Sequence, residues 1–289
     1  MPGKPPGADP CGMRAFCGPA MTGTFTTLVD EIAATAGALR SYVRLIAALL
    51  LREVANRRRA PMESFLALME PVTAMATTGF LFWFLGRRTM AFLGGSPVLY
   101  YCTGFLAIYF FIYVANRIRA LDSPNRRYPI EQRLDYILVH VLLRIGDYAI
   151  LGLLTFGTIY FVFTPAAFPH DIVPVLQACV AIVMLGFGWG VFNLVIARVL
   201  TLWTHIAAVI SRSLLFLSGV FYVPDFLAPS VRDAISYNPM LHALALFRQG
   251  FYPSYPTLML DTNYLAWCAI GAVVVGLVLE RASRRIEQN

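Results

Sequence analysis

The sequence predicts an all-α polytopic membrane protein: six transmembrane helices, an N-terminal amphipathic interface helix, and re-entrant half-helices before the last span. Three observations carry this reading. Of 289 residues, 58% are hydrophobic and 13% charged, about half the charged share of a soluble domain, and the mean hydropathy is +0.65. The apolar residues gather into runs long enough to cross a bilayer. The net charge of +7 rests on arginine, since Lys4 is the one lysine. Such a balance also suits nucleic acid, but these arginines cluster beside apolar segments, so the positive-inside rule explains them more simply.

The elements follow in order. Residues 1–36 read as a disordered leader, with Met21 as an alternative start; the opening "MPGKPPGADPCGMRAFCGPAMTGTF" lacks the apolar core of a signal peptide. Residues 37–60 form the amphipathic helix. At helical period Tyr42, Val43, Ile46, Leu49 and Leu50 share one face, Arg40, Arg44 and Ala48 lie opposite, and "NRRR" closes it. Its charges argue against a first span. The transmembrane region is residues 61–280, with spans expected at Met62–Leu85, Val98–Asn116, Leu134–Phe163, Ile172–Ala197, Thr204–Val223 and Thr262–Leu279. Residues 281–289 are a cytoplasmic tail.

Orientation follows from counting Lys and Arg. With both termini inside, eight precede the first span, five lie in the second-to-third loop, one in the fourth-to-fifth and three in the tail. Outside lie Arg87, Arg88, Arg232 and Arg248. The bias places both ends in the cytoplasm of a multi-pass plasma-membrane protein.

The stretch "LAPSVRDAISYNPMLHALALFRQGFYPSY" breaks the pattern. Its apolar run of about ten residues makes roughly 15 Å of helix, half of a crossing. Asn238 is a candidate N-cap with Pro239 at the first helical position, Gly250 ends the helix, and Pro229 starts a shorter one. Two half-helices over about 227–252 would dip into the outer leaflet. Non-helical backbone is tolerated there only beside protein or a water-filled cavity. The alternative is a lid packed on the outer face.

No enzyme constellation is visible. His140, His170, His205 and His242 have no metal spacing, no GxSxG occurs, and Cys11, Cys17, Cys102, Cys179 and Cys268 form no CxxC. The expectation is a non-enzyme with no metal. A phosphate-cradling GxxxxGK[ST] loop needs a lysine, which Lys4 does not supply, so any ATP chemistry belongs to another chain.

Three intramembrane charge positions stand out. Glu70, about 12 Å into the first span, precedes Pro71. Arg144 and Asp147 share a face and can pair. Arg212 has no acid near it in sequence. Such charges face a bundle interior or a watery path, with structural pairing or snorkelling as alternatives. Aromatics such as Trp83, Tyr100, Tyr101 and Trp189 read first as interfacial belt residues, second as platforms for sugar rings. "GFGWG" at Gly186–Gly190 allows close helix approach. The second-to-third loop, with Asp122, Arg126, Arg127, Tyr128, Glu131 and Arg133, reads as a docking surface or a solvated loop, and Asp122 or Ser123 before Pro124 can start a short helix.

"ALLLREVANRRR", "ALMEP", "LSGVFYVPDFL" and "SYNPMLHALALFRQGFY" together resemble the type-2 ABC export permeases, in particular the capsular polysaccharide export inner-membrane proteins, over about Arg40 to the C-terminus. The resemblance implies a homodimer working with two cytoplasmic ATP-binding subunits, with ATP and Mg²⁺ bound there. It further implies periplasmic and outer-membrane partners, and an acidic, lipid-terminated polymer as substrate. Arg52, Glu53 and the loop residues Asp122, Arg126, Arg127, Tyr128 and Glu131 would then couple to the ATPase. Tyr222, Pro224, Tyr237, Asn238, Pro239, His242 and Arg248 would form a periplasmic gate. Arg144, Arg212, Glu70, Trp83 and Trp189 would line the path. O-antigen, teichoic-acid-like, lipid or drug export by the same superfamily, a membrane-embedded transferase, and a secondary transporter or channel are the rival readings.

Overall fold

A computed structural model describes residues 20–59, 61–84, 97–119, 133–162, 167–200 and 202–288. All regular structure among them is helical. The chain divides into two compact units, Met1–Leu51 and Arg52–Asn289. In the first, the described residues lie on helix α1 (Ala20–Arg59), whose last turns belong to the second unit. The helix therefore starts earlier than residue 37 and takes up part of the stretch expected to be a disordered leader. Of the expected apolar face, Ile46 and Leu49 are buried, whereas Tyr42 and Val43 are exposed.

The second unit continues with α2 (Pro61–Phe84), α3 (Pro97–Arg119), α4 (Arg133–Val162), α5 (Ile172–Val199), α6 (Trp203–Leu217), a 3-10 turn at Pro224–Phe226, α7 (Pro229–Ile235), α8 (Pro239–Gln249) and α9 (Thr262–Gln288). Four stretches among the described residues are long and apolar enough to cross a membrane: Pro97–Arg119, Leu134–Val162, Ile172–Val199 and Thr262–Ser283. Helix α2 has 24 residues, with Pro71 inside it.

The fifth expected span departs from its predicted bounds. Rather than running from Thr204 to Val223, α6 stops at Leu217 after 15 residues, about 22 Å of helix. The stop lies in the backbone at Gly219, whose φ of +76° belongs to the left-handed region where a Cβ is strained. A Cβ there would also meet Pro224 Cγ at 3.0 Å. The chain turns at this point and enters the half-helices.

Helix α5 is the hub, packing most extensively on α9 and α3 and then on α8. Its glycines permit this on two faces. A Cβ on Gly188 would lie 2.3 Å from the Ala272 carbonyl oxygen of α9, and one on Gly190 would lie 3.0 Å from Ala115 Cα of α3. Close approach of the helices was the reading of "GFGWG", and dispersion between the closely packed backbones holds them together where hydrophobic exclusion is absent. Helix α3 is the most enclosed of the four apolar stretches and α9 the least.

Candidate functional site

The short helices form where local chemistry places them. Asn238 Oδ1 accepts the Met240 N–H at 3.0 Å, with Pro239 at the first helical position of α8. Pro229 opens α7, there without a side-chain cap at Ala228. Gly250 ends α8, but not through left-handed freedom, since its φ is −69°. It is needed for space: a Cβ would sit 2.4 Å from Val175 Cγ2 and 2.6 Å from the Asp171 oxygen. That contact seats α8 on the start of α5, where Asp171 N–H donates to the Gly250 carbonyl at 3.0 Å.

Around α8 the expected gate residues converge. Arg248 is wholly buried. Its Nη1 donates to Tyr100 Oη and to the Gly219 carbonyl, each at 2.7 Å. Its Nη2 donates to the Val220 carbonyl at 2.9 Å and the Tyr100 carbonyl at 3.3 Å. The guanidinium also lies 3.7 Å from the Tyr100 ring centroid, a cation–π stack. Tyr100 in turn donates to the Tyr222 carbonyl at 2.8 Å. Charge is thus accommodated by a ring of oxygens rather than by a carboxylate.

A second set of bonds closes the loop between α7 and α9. Asn238 Nδ2 donates to Ser218 Oγ at 3.2 Å. Asp261 N–H donates to His242 Nδ1 at 3.2 Å, which leaves the proton on Nε2, and Nε2 donates to the Ser236 carbonyl at 2.7 Å. Tyr264 Oη donates to the Tyr237 carbonyl at 2.8 Å. Asp225, on the 3-10 turn, accepts Met259 N–H at 3.1 Å. Burial raises its carboxyl above the ordinary aspartate range, against that bond and the Arg232 charge.

At the other end of α3 lies a charged cluster. Arg57 Nη1 contacts Asp147 Oδ2 at 2.9 Å, and Arg144 Nη1 contacts the same oxygen at 3.0 Å. Arg144 also donates to Tyr113 Oη, with its guanidinium 4.2 Å from that ring centroid. Beside this chain, Arg117 Nη2 is 3.5 Å from Glu53 Oε1, and Arg117 Nε donates to His140 Nδ1 at 3.4 Å. Glu53 and His140 are buried.

The path residues with described side chains, Arg144, Arg212 and Trp189, lie on three different helices. Arg144 pairs with Asp147 as its spacing suggested, and it is held inside the charged cluster. Arg212 lies exposed on α6 next to buried Ser211. Trp189 stacks on Phe192 at 5.5 Å and donates to Ser211 Oγ at 3.4 Å. It lines a cavity of about 470 Å³ between α5, α6 and α9, capped by Asn238 and Pro239. Glu70 and Trp83 lie on α2, and their side chains fall outside those described. Asp122, Arg126, Arg127, Tyr128 and Glu131, with the expected loop helix, also lie outside the described residues. Arg52 is half-buried.

Sequence reasoning missed Tyr100 and Tyr113 as anchoring groups, since an aromatic near a span end reads first as a belt residue. Tyr100 is a correction to that reading: it is 1% exposed and holds Arg248. Apart from its aromatic run, α3 carries no signal that singles these two out.

Fold and clusters together define a polytopic helical membrane protein with a discontinuous helical segment ahead of its last long helix. The family model for ABC-2 type transporters matches residues 44–252, most of the chain, and the chain belongs to that family. It is homologous to capsule polysaccharide export inner-membrane proteins. It is 25% identical to BexB of Haemophilus influenzae over 240 residues, covering 82% of this chain and 89% of BexB. It is 21% identical to the polysialic acid transport protein KpsM of Escherichia coli over 245 residues, covering 82% of this chain and 92% of KpsM. It is 24% identical to CtrC, a capsule polysaccharide export inner-membrane protein of Neisseria meningitidis, over 249 residues, covering 84% of this chain and 93% of CtrC.

Proposed function

We propose that this chain is the membrane-spanning subunit of an ATP-driven exporter that moves an acidic, lipid-terminated capsular polysaccharide across the bacterial inner membrane. It works as a homodimer with two ATP-binding chains, which carry ATP and Mg²⁺, and it hands the polymer to periplasmic and outer-membrane export proteins. Helices α2 and α6 complete six spans, both termini face the cytoplasm, and α7 and α8 re-enter the outer leaflet as a gate. The observation that carries the reading is likeness to capsule export proteins along most of both chains. The half-helix cluster supports it, because polar bonds satisfy backbone that a bilayer cannot. Arg52 and Glu53 with the loop residues Asp122, Arg126, Arg127, Tyr128 and Glu131 form the ATPase-facing side.

Affinity purification from native membranes in mild detergent, with mass spectrometry and an ATP hydrolysis assay, tests the class. The expected result is a stoichiometric ATP-binding partner; a chain that purifies alone under several mild conditions rejects the reading. Within the path, exposed Arg212 is a cation offered to sugar acids, with Trp189 and Trp83 stacking on rings and Glu70 and Arg144 at the inner end. Arg212→Gln is expected to cut export of the native polymer about fivefold, the value of one partly screened charge contact near 1 kcal/mol. Unchanged export at equal membrane abundance removes Arg212 from the path.

A further inference from the structure

We propose that α3 is the rod through which the turn carrying Glu53 and Arg57 is coupled to the half-helix gate. The inference rests on the assignment of α7 and α8 as a gate. Both bonded clusters converge on this one helix. Near its start, Tyr100 binds Arg248 and Tyr222; near its end, Tyr113 and Arg117 bind the charged cluster. Tyr100 and Arg117 are separated by about 25 Å of helix.

What lies between the two ends is stiff. Buried residues run almost without interruption from Leu99 to Phe111 and continue at Val114, Ala115 and Ile118. Gly104 admits the Arg248 guanidinium, since a Cβ there would meet Nη2 at 2.6 Å. Gly186 and Gly190 of α5 bring that helix against Val114 and Ala115. A densely packed element transmits a displacement rather than absorbing it. At the inner end, Glu53 acts on α3 directly through Arg117. Arg57 acts on it through Asp147, Arg144 and Tyr113 in turn. Moving that turn must therefore carry α3 and α4 along or part ion pairs that are partly buried, and parting them is costly. At the outer end, Arg248 joins α3 to the Gly219 turn and α8. Arg144, Asp147, Tyr113 and Tyr100 are accordingly positioning residues that act through α3.

The reporter is Ser218→Cys, a near-isosteric thiol at a position 1% exposed beneath Asn238. Its reaction with a membrane-impermeant maleimide is followed in spheroplasts carrying the full chain, against a background without the substitution. Glu53→Gln and Tyr113→Phe are each expected to change the labelling rate about fivefold, the lower range of measured coupling between distant sites. In a Tyr100→Phe background, which removes the hydroxyl between Arg248 and Tyr222, neither should change it further. Glu53→Asp, which keeps the carboxylate, should return the rate toward the parent, a rescue that mere loosening of the fold would not give. If Glu53→Gln fails to accumulate, Tyr113→Phe supplies the same reading, because its ring still packs on Tyr148.

Rates indifferent to the inner substitutions, or full effects persisting in the Tyr100→Phe background, overturn the coupling and leave the proposed function standing. Labelling seen only in inside-out vesicles overturns the gate's orientation and the coupling with it.

Discussion

Arg248→Met is expected to be the most damaging single substitution in the half-helix region, costing about 3 kcal/mol or more. Methionine fills much of the volume but donates nothing. The carbonyls of Gly219, Val220 and Tyr100 lose the guanidinium that bridges them, and each orphaned buried acceptor costs about 1–3 kcal/mol. The stack on Tyr100 goes as well. Arg248→Lys should fall between the two, since a single ammonium cannot span three carbonyls and a ring as a planar fork does. Thermal unfolding in mild detergent and protease resistance of the 218–250 segment measure this. A parental midpoint for Arg248→Met would mean that the guanidinium does not hold the half-helices.

Gly188→Leu is expected to separate α9 from α5 and to destabilise the protein by about 3 kcal/mol or more, the upper end of overpacking costs. The obstacle is backbone. A Cβ at Gly188 meets the Ala272 oxygen at 2.3 Å and carbon at 2.5 Å, and no rotamer relieves a clash with main chain. Gly188→Ala should be milder but still clearly destabilising. Gly271, on α9, is the control: a Cβ there meets nothing within 4 Å, so Gly271→Ala should be neutral, or stabilising by up to about 1 kcal/mol. The ranking of thermal midpoints, leucine below alanine at 188 and Gly271→Ala at or above the parent, is the readout. An undisturbed Gly188→Leu protein would show that α9 does not pack on α5 at that glycine.

Arg248 also shows how the two kinds of information divide. Its place on a helix of about ten residues, begun by Asn238 and Pro239 and closed at Gly250, was legible in the chain. The cap, the fixed proline φ and the apolar run all act within a few residues of one another. The pairing of Arg144 with Asp147 was legible for the same reason, since a three-residue spacing puts both on one face. So was the close approach signalled by Gly186, Gly188 and Gly190, though not the helices they approach.

The stop of α6 at Leu217 was not legible, because "LSGVFYV" is apolar enough to continue a span and only the φ of Gly219 ends it. The reason for glycine at 250 was not legible either: the Val175 and Asp171 atoms, more than seventy positions away, leave no room for a side chain. Arg212 and Arg144 both lie in apolar runs, and in the sequence only Arg144 has an acid within a helical turn. Packing sends one to an exposed face and gives the other Asp147 and Tyr113.

By itself, then, the sequence determined a membrane protein, its long apolar helices, the caps of its short ones and the kinship of its motifs, because all of these rest on composition or on contacts within a turn or two. Tertiary structure alone decided that Arg248 finds Tyr100, 148 positions away, and that Arg57 finds Asp147, 90 positions away. Such partners are chosen by which helix faces come into register once the whole bundle has packed, and no local rule of spacing carries that information.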